Sequence, residues 1–206
     1  MNRISRGQAL DASWLAESIA RAGLPFPVIL RPPASHGGKG VVLAHTRADI
    51  ERSELTQADT VYATAFCDYR SADGYFRKYR MIFVDRKPYP YHLAISDHWL
   101  VHYVTADMLP APWKLEEERA FLKDPAKALG TDALATLENI AKRLDLDYAG
   151  IDFSLMPDGR VLVFESNATM LVHPEPHASP LAYKNTYVDA IVDAFAQLIE
   201  SRRARH

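Results

Sequence analysis

GIDFS at residues 150–154 and VFESN at residues 163–167 are two apolar segments near the C-terminal end of the chain. Asp158–Gly159 lies between them, and an Asp-Gly pair flanked by apolar runs is a strong signal of a β-hairpin. Successive strand residues point to opposite faces, so Glu165 and Asn167 share one face of the second strand. The sequence therefore predicts a hairpin with two polar side chains on one face.

Asp152 on the first strand adds a third oxygen donor to this largely apolar hairpin. Hard divalent cations such as Mg²⁺ take oxygen ligands and often share them with phosphate groups. Asp152, Glu165 and Asn167 therefore indicate a metal site. The alternative is structural, with Glu165 paired to an arginine and Asn167 at the end of a strand.

The composition limits the class of protein. The chain has 206 residues, of which 48% are hydrophobic, enough for a sizeable core in one domain or in two small lobes. With 24 basic and 26 acidic residues, the net charge of −2 indicates neither a nucleic-acid nor a membrane partner. The single cysteine excludes an internal disulfide and favours a reducing, cytoplasmic location. The N-terminal segment lacks a long apolar run, so we expect no signal peptide and no membrane span.

Long runs of antiparallel strand pattern with helices between them predict an α+β fold rather than a doubly wound parallel sheet. We expect residues 1–65 to form a small lobe with a glycine-rich loop. Residues 66–206 form a large lobe with the metal-binding strands and a C-terminal helix. Thr131 is the predicted N-cap of an amphipathic helix with one apolar face. Apolar residues at helical spacing across residues 181–201 predict a helix that packs on the core rather than on a partner.

A glycine-rich loop, SHGGKG at residues 35–40, lies between two predicted strands. Glycines allow tight turns and expose backbone N–H groups to an anion, and Lys39 and Arg31 add positive charge nearby. The pattern is neither a P-loop, which runs into a helix, nor the dinucleotide fingerprint of a βαβ unit. A plain hairpin turn and a phosphate-binding loop both agree with it.

Together these motifs are more specific than each one alone. VILRP at residues 28–32 precedes the glycine-rich loop, and GID at residues 150–152 and FESN at residues 164–167 follow far downstream. This order resembles the ATP-grasp superfamily, most closely its branch with glutathione synthetase and the ribosomal-protein glutamate ligases. The resemblance covers most of the chain, from about residue 25 to residue 200. It implies an ATP-grasp-like α+β fold whose two lobes, with mainly antiparallel sheets, hold ATP in the cleft between them.

The resemblance implies a set of nucleotide-binding residues. Arg31 takes the position where the family usually has a lysine that contacts the nucleotide; arginine keeps the charge but not the geometry. Phe66 follows the strand that leads to the hinge, whose backbone binds adenine, and Ala65 stands where many members have a ribose-binding glutamate. The loop residues that would close over the phosphates are Ser35, His36, Gly37, Gly38, Lys39 and Gly40.

The resemblance also implies metal-binding and catalytic residues in the second lobe. Asp152, Glu165 and Asn167 match the family's metal ligands, which hold Mg²⁺, or Mn²⁺ in its place, against the ATP phosphates. Arg80 matches a family arginine near the transferred phosphate, and Lys78 lies two residues before it. The alternatives are that Arg80 forms a structural salt bridge between strands and that the end of the Lys78 side chain is exposed to solvent.

The implied activity is that of an ADP-forming, ATP- and Mg²⁺-dependent carboxylate–amine ligase. ATP would phosphorylate a small-molecule or peptide carboxylate, and an amine would attack the acyl phosphate to give an amide, ADP and phosphate. The protein would position the groups and neutralise charge on the phosphate oxygens. Two alternatives stay open: a non-catalytic nucleotide-binding module, and a small-molecule kinase that leaves the phosphate on a hydroxyl.

Two further features of the sequence concern where the acid and amine substrates would bind. Residues 88–103 are dense in histidine and aromatic residues, including His92, and predict either a substrate cleft or a structural strand with buried rings. Related ligases usually carry a further N-terminal domain, and the residues before the first matched strand are too few for one. We therefore expect that surface to come from a second copy of the chain, as a homodimer, or from a partner chain, or to be absent. A further alternative is that the chain is a piece of a longer protein.

Overall fold

The computed structural model describes residues 1–5, 11–33 and 38–204 of the chain. The chain divides into two compact units, Met1–Asp68 and Tyr69–His206, each with one antiparallel four-stranded sheet and its own helices. This architecture confirms the predicted α+β class. Within the described residues, no helix is long and apolar enough to cross a membrane.

The first unit combines four strands with two helices. In chain order its elements are β1 Asn2–Ser5, α1 Ala12–Arg21, β2 Val28–Arg31, β3 Val42–Ala44, α2 Arg47–Glu51, a 3₁₀ turn Glu54–Gln57 and β4 Thr60–Ala65. Neighbouring strands pair antiparallel in the order β1-β4-β2-β3. Leu15 and Ile19 of α1 and Ile50 of α2 lie in one buried cluster with Val28 and Leu30 of β2. The core of this unit therefore lies between the helices and one face of the sheet.

The second unit contains the larger sheet. Its elements are β5 Phe76–Val84, β6 Lys87–Ser96, a 3₁₀ turn Tyr103–Thr105, α3 Pro112–Lys123, α4 Pro125–Leu129, α5 Thr131–Leu144, β7 Tyr148–Leu155, β8 Val161–Asn167, a 3₁₀ turn Ala182–Lys184 and α6 Asn185–Arg203. The strands pair antiparallel in the order β6-β5-β7-β8. The predicted hairpin of β7 and β8 and the predicted amphipathic helix are both confirmed, but Gly130 rather than Thr131 occupies the N-cap position of that helix.

The two faces of the second sheet are covered by different helices. On one face, the Tyr79 ring lies 5.0 Å from that of Phe121 in α3 and 5.3 Å from that of Phe153 in β7, measured between centroids. On the other face, Ile82 and Val84 of β5 share a buried cluster with residues of α6. The α6 residues in that cluster are Val188, Ile191 and Leu198.

Helix α6 corrects one expectation from the sequence. It packs on the core as predicted, but Val192, Phe195 and Ile199, whose spacing also suits a core contact, have exposed side chains. Helical spacing identifies an apolar face without showing how much of it the sheet covers. The buried contact comes from Val188, Ile191 and Leu198, and the partly exposed Phe195 meets the Tyr148 ring edge-on with centroids 5.6 Å apart.

Strand β6 lies at one edge of the sheet, where two side chains bind its outward-facing N–H groups. The Leu93 N–H donates to Glu118 Oε1 at 3.0 Å, and the Ile95 N–H donates to Met108 Sδ at 3.3 Å. Free backbone groups at a sheet edge can pair with another chain. These contacts therefore protect this edge.

Gly150 of β7 allows Met170 to approach the sheet, because a Cβ atom at residue 150 would lie 2.4 Å from the Met170 sulfur. We expect Gly150→Ala to lower the free energy of unfolding by about 1–3 kcal/mol, since the added methyl overpacks this contact. Urea unfolding followed by circular dichroism measures the change. In a Met170→Ala background the same substitution should cost less. An equal cost in both backgrounds would contradict the packing argument.

Candidate functional site

Four polar residues form a row across the second sheet. His92 of β6 lies opposite Arg80 of β5, Arg80 lies opposite Asp152 of β7, and Asp152 lies opposite Glu165 of β8. Residues directly opposite in antiparallel strands share a face, so all four side chains project from the same side of the sheet. We call these four residues the polar row.

Asp152 is the buried centre of the row. Its side chain is only 4% exposed, and its Oδ1 and Oδ2 atoms accept hydrogen bonds from Arg80 Nε at 2.6 Å and Arg80 Nη2 at 2.9 Å. Lys78 Nζ lies 3.1 Å from Asp152 Oδ2. Burial by itself raises the pKa of the Asp152 carboxyl, but the Arg80 hydrogen bonds and the Lys78 charge outweigh it and leave the pKa below its ordinary value. Asp152 is therefore ionised and bound by two cations.

Glu165 and Asn167 provide the remaining predicted metal ligands on the same face. Glu165 is exposed and, among the described residues, its carboxylate forms no ion pair or hydrogen bond. Asn167 lies opposite Gly150, and its Oδ1 atom accepts hydrogen bonds from the Thr169 N–H at 2.8 Å and the Thr169 hydroxyl at 2.9 Å.

The three oxygen-bearing residues fit a hard cation in ligand type and in their shared face. A cation that bound there would exchange with the present partners of Asp152 and Asn167. Histidine, cysteine, aspartate and glutamate side chains alone do not make a metal-binding group of three within the described parts of the chain. The Asn167 amide, phosphate oxygens or water would therefore have to complete the coordination.

His92 ends the row in an unusual environment. The residue is only 7% exposed, and its Nε2 atom is buried without a hydrogen-bond partner. The imidazole stacks on the Tyr103 ring with centroids 4.8 Å apart. Burial, and then the charge of Arg80, holds the pKa of His92 well below its usual range. The His92 ring is therefore neutral at neutral pH.

A second buried carboxylate, Glu118 of α3, lies next to this end of the row. Its Oε1 atom binds the Leu93 N–H, and its Oε2 atom accepts hydrogen bonds from the hydroxyls of Tyr103, at 3.0 Å, and Tyr183. Lys184 Nζ lies 4.2 Å from the centre of the Tyr103 ring and 2.6 Å from Glu175 Oε1. Burial raises the pKa of the Glu118 carboxyl in spite of these partners.

The sequence predictions missed Glu118. It is the last of three consecutive glutamates at residues 116–118, and only packing distinguishes the buried one from its exposed neighbour Glu116. The helical period offers a weak signal, because Leu115, Glu118 and Leu122 lie on one face of α3 and are all buried.

The predicted nucleotide-binding residues that the structure describes lie in the first unit. Arg31 ends β2 with its guanidinium 5.7 Å from the centre of the Tyr62 ring. Gly38 and Gly40 have positive φ angles of 76° and 71°, so this part of the loop turns tightly. Lys39 between them is exposed. Ser35, His36 and Gly37 lie outside the described residues.

Phe66, which the sequence placed at the adenine-binding hinge, follows the last residue of β4. Its backbone N–H donates a hydrogen bond to the Pro27 carbonyl at 3.0 Å. The amide of Phe66 is therefore already engaged with the segment before β2. Adenine would have to use other backbone groups of this segment or displace that bond.

Comparison with family models finds no match, and none of the curated proteins matches the chain. Among solved structures, the chain is similar to an N5-carboxyaminoimidazole synthase from Aspergillus clavatus in complex with ADP and 5-aminoimidazole ribonucleotide. The identity is 13%, the TM-score is 0.47, and the match covers 93% of this chain and 46% of that one.

Two further solved structures are similar over nearly the whole chain. A RimK domain protein ATP-grasp from Sphaerobacter thermophilus matches at 17% identity and a TM-score of 0.46, covering 94% of this chain and 59% of that one. A D-alanine-D-alanine ligase from Coxiella burnetii matches at 10% identity and a TM-score of 0.41, covering 99% and 55%. The chain thus spans about half the length of the solved proteins it resembles.

The burial of His92 predicts how the free energy of unfolding depends on pH. A folded-state pKa below the unfolded value of about 6.5 means that the unfolded chain binds the proton first as the pH falls. The His92 contribution to stability is thus fully present above about pH 6.5 and is lost progressively below it. We expect the His92 contribution alone to lower the free energy of unfolding by up to about 2 kcal/mol between pH 7 and pH 5.

Denaturant unfolding at several pH values measures this loss. His92→Gln should remove the His92 part of the pH dependence, whereas the matched variant His98→Gln, at an exposed histidine, should keep it. Identical pH profiles for the wild-type protein and His92→Gln would contradict the assignment.

Proposed function

We propose that the chain is an ATP- and Mg²⁺-dependent carboxylate–amine ligase that works through an acyl phosphate. The observation that carries the proposal is the polar row, in which Arg80, Asp152 and Glu165 lie side by side with Lys78 bound to Asp152. Two cations next to two carboxylates on one face provide groups for phosphate oxygens and for a divalent cation. The order of the sequence motifs supports the same activity.

Asp152, Glu165 and Asn167 are the residues that would hold Mg²⁺, or Mn²⁺ in its place. When bound, such an ion supplies positive charge that stabilises phosphate oxygens during transfer. Glu165 is the most accessible of the three because its carboxylate is exposed and unpaired within the described parts of the chain.

Arg80 and Lys78 would act on the transferred phosphate and on the substrate carboxylate. The planar Arg80 guanidinium can bind two oxygens of one anion, whereas the Lys78 ammonium acts as a point charge. The Asp152 contacts fix both cations on the sheet before any substrate arrives. Such preorganised charge stabilises a transition state without a reorganisation cost at the moment of reaction.

The proposed reaction has two steps. A carboxylate oxygen of the acid attacks the terminal phosphorus of ATP, which forms an acyl phosphate and releases ADP. An amine then attacks the acyl carbon and loses a proton to solvent, which forms the C–N bond of the amide, and inorganic phosphate leaves with the electrons of the broken C–O bond. Both substrates are small molecules or peptides in this proposal, and Arg31, residues 35–40 and Phe66 are the proposed nucleotide-binding residues.

A non-catalytic nucleotide-binding module is the second candidate function. One observation favours it: Asp152, a proposed metal ligand, is already neutralised by Lys78 and Arg80. Nucleotide binding without ADP release, across a panel of acids and amines, would identify this module. A phosphorylated hydroxyl product found by mass spectrometry would instead identify a kinase.

Glu165→Gln tests the metal-binding role. We expect the intact chain to bind a non-hydrolysable ATP analogue in the presence of Mg²⁺, and Glu165→Gln to weaken that binding about tenfold or more, because a charged ligand is lost. Isothermal titration calorimetry measures both affinities, and circular dichroism confirms the fold. Glu116→Gln, at an exposed glutamate of α3, is the matched control. Failure of the intact chain to bind the analogue would refute the proposal.

Lys78→Met is expected to have the opposite effect on metal affinity at the same site. Lys78 competes with a divalent cation for Asp152, so its removal should tighten nucleotide-free Mn²⁺ binding several-fold by relieving charge repulsion. The same variant should slow ADP release in the ligase assay, since one phosphate-neutralising charge is lost. Electron paramagnetic resonance of Mn²⁺ measures the affinity, and Lys87→Met, at an exposed strand lysine, is the control. Weaker Mn²⁺ binding in Lys78→Met would contradict the competition.

A further inference from the structure

Helix α6 carries exposed apolar side chains next to those that contact the core of the second unit, and one of them, Phe195, also meets the Tyr148 ring of β7 edge-on with centroids 5.6 Å apart. Its buried contacts come from Val188, Ile191 and Leu198. On the adjacent side, Val192 is 56% exposed, Phe195 38% and Ile199 41%. Exposed apolar residues that lie together on one helix face mark an interaction surface more often than scattered ones do. We call Val192, Phe195, Ala196 and Ile199 the α6 stripe.

The two ends of the α6 stripe carry opposite charges. Asp189 lies one turn before Val192, and Arg203 lies one turn after Ile199. Both side chains are exposed, and within the described residues neither forms an ion pair. Arg202, by contrast, is bound to Asp147 at 2.9 Å. The stripe therefore has an acidic end and a basic end that the chain itself leaves without a partner among those residues.

This charge pattern is complementary to itself when it is reversed. If two α6 helices pack antiparallel around Phe195 and Ala196, Val192 of each copy lies near Ile199 of the other. The same arrangement places Asp189 of each copy near Arg203 of the other, because both residues lie seven positions from Ala196. A two-fold axis makes each such contact occur twice.

We propose that the α6 stripe is a homodimer interface in which two copies of this chain pair through antiparallel α6 helices. A surface cavity of about 320 Å³ next to Phe195 and Ile199 offers room for an apolar side chain of the second copy. The proposal is independent of the proposed catalytic function, since none of its residues belongs to the polar row. The stripe is small compared with a standard interface, so the dimer is weak and forms at micromolar or higher concentrations.

Charge reversal at the two ends tests the arrangement. We expect Asp189→Arg and Arg203→Asp each to weaken dimerisation about tenfold or more, because each variant places like charges together twice in a dimer. Sedimentation velocity over a concentration series measures the dissociation constants. An equimolar mixture of the two single variants should dimerise again, because one copy then carries positive charge at both ends of the stripe and the other copy carries negative charge at both. The double variant should also recover.

Two further variants show whether dimerisation depends on the α6 stripe. Gln197→Arg adds a positive charge to an exposed residue away from the stripe on the same helix and should leave dimerisation unchanged. Val192→Glu should weaken dimerisation while circular dichroism and thermal unfolding stay close to wild type. A wild-type protein that remains monomeric at high concentration overturns the proposal. So does a mixture of the two charge variants that stays as weak as each variant alone.

Discussion

The ion pair of Asp152 with Arg80 and Lys78 is the constraint on which the second unit depends. A carboxylate that is 4% exposed cannot stay ionised without partners, because desolvation costs several kcal/mol. Arg80 lies directly opposite on β5, and its forked guanidinium binds both oxygens. A slip of β7 by one residue would turn Asp152 towards the face where Tyr79 and Phe153 stack. The ion pair therefore fixes the strand register as well as neutralising the charge.

This register divides one sheet face into an apolar part and a polar part. Ile82 and Val84 continue β5 beyond Arg80 on the same side and are covered by α6. Helix α6 covers only the apolar part, because the charged groups of the polar row occupy the other part of this sheet face. His92 lies in this row, where burial, and then the Arg80 charge, holds its pKa well below the usual range. The chemistry of the polar row thus follows from which residues the strand register places opposite one another.

The sequence predicted the parts of the fold that local rules determine. The hairpin at Asp158–Gly159 and the helix at Thr131 depend on neighbouring residues, and both form as expected. The shared face of Asp152 and Glu165 depends on a register shift between Asp152 and Phe153, without which the hairpin turn would place Asp152 opposite Phe164. The burial of Glu118 and the partial exposure of Phe195 depend on tertiary packing, for which the spacing of residues along a helix gives only a weak signal. The binding of Asp152 by both Lys78 and Arg80 likewise depends on residues about 70 positions away in the chain.

The same ion pair couples the two ligands in the proposed reaction. A divalent cation at Asp152 would share a carboxylate that already binds two positive charges, so alone it would meet Coulomb repulsion. A phosphate group that arrives with the cation gives Lys78 and Arg80 a new anionic partner. Each ligand then lowers the cost of binding the other, which is positive coupling and must be reciprocal. A site built in this way favours the metal–nucleotide complex over either component alone.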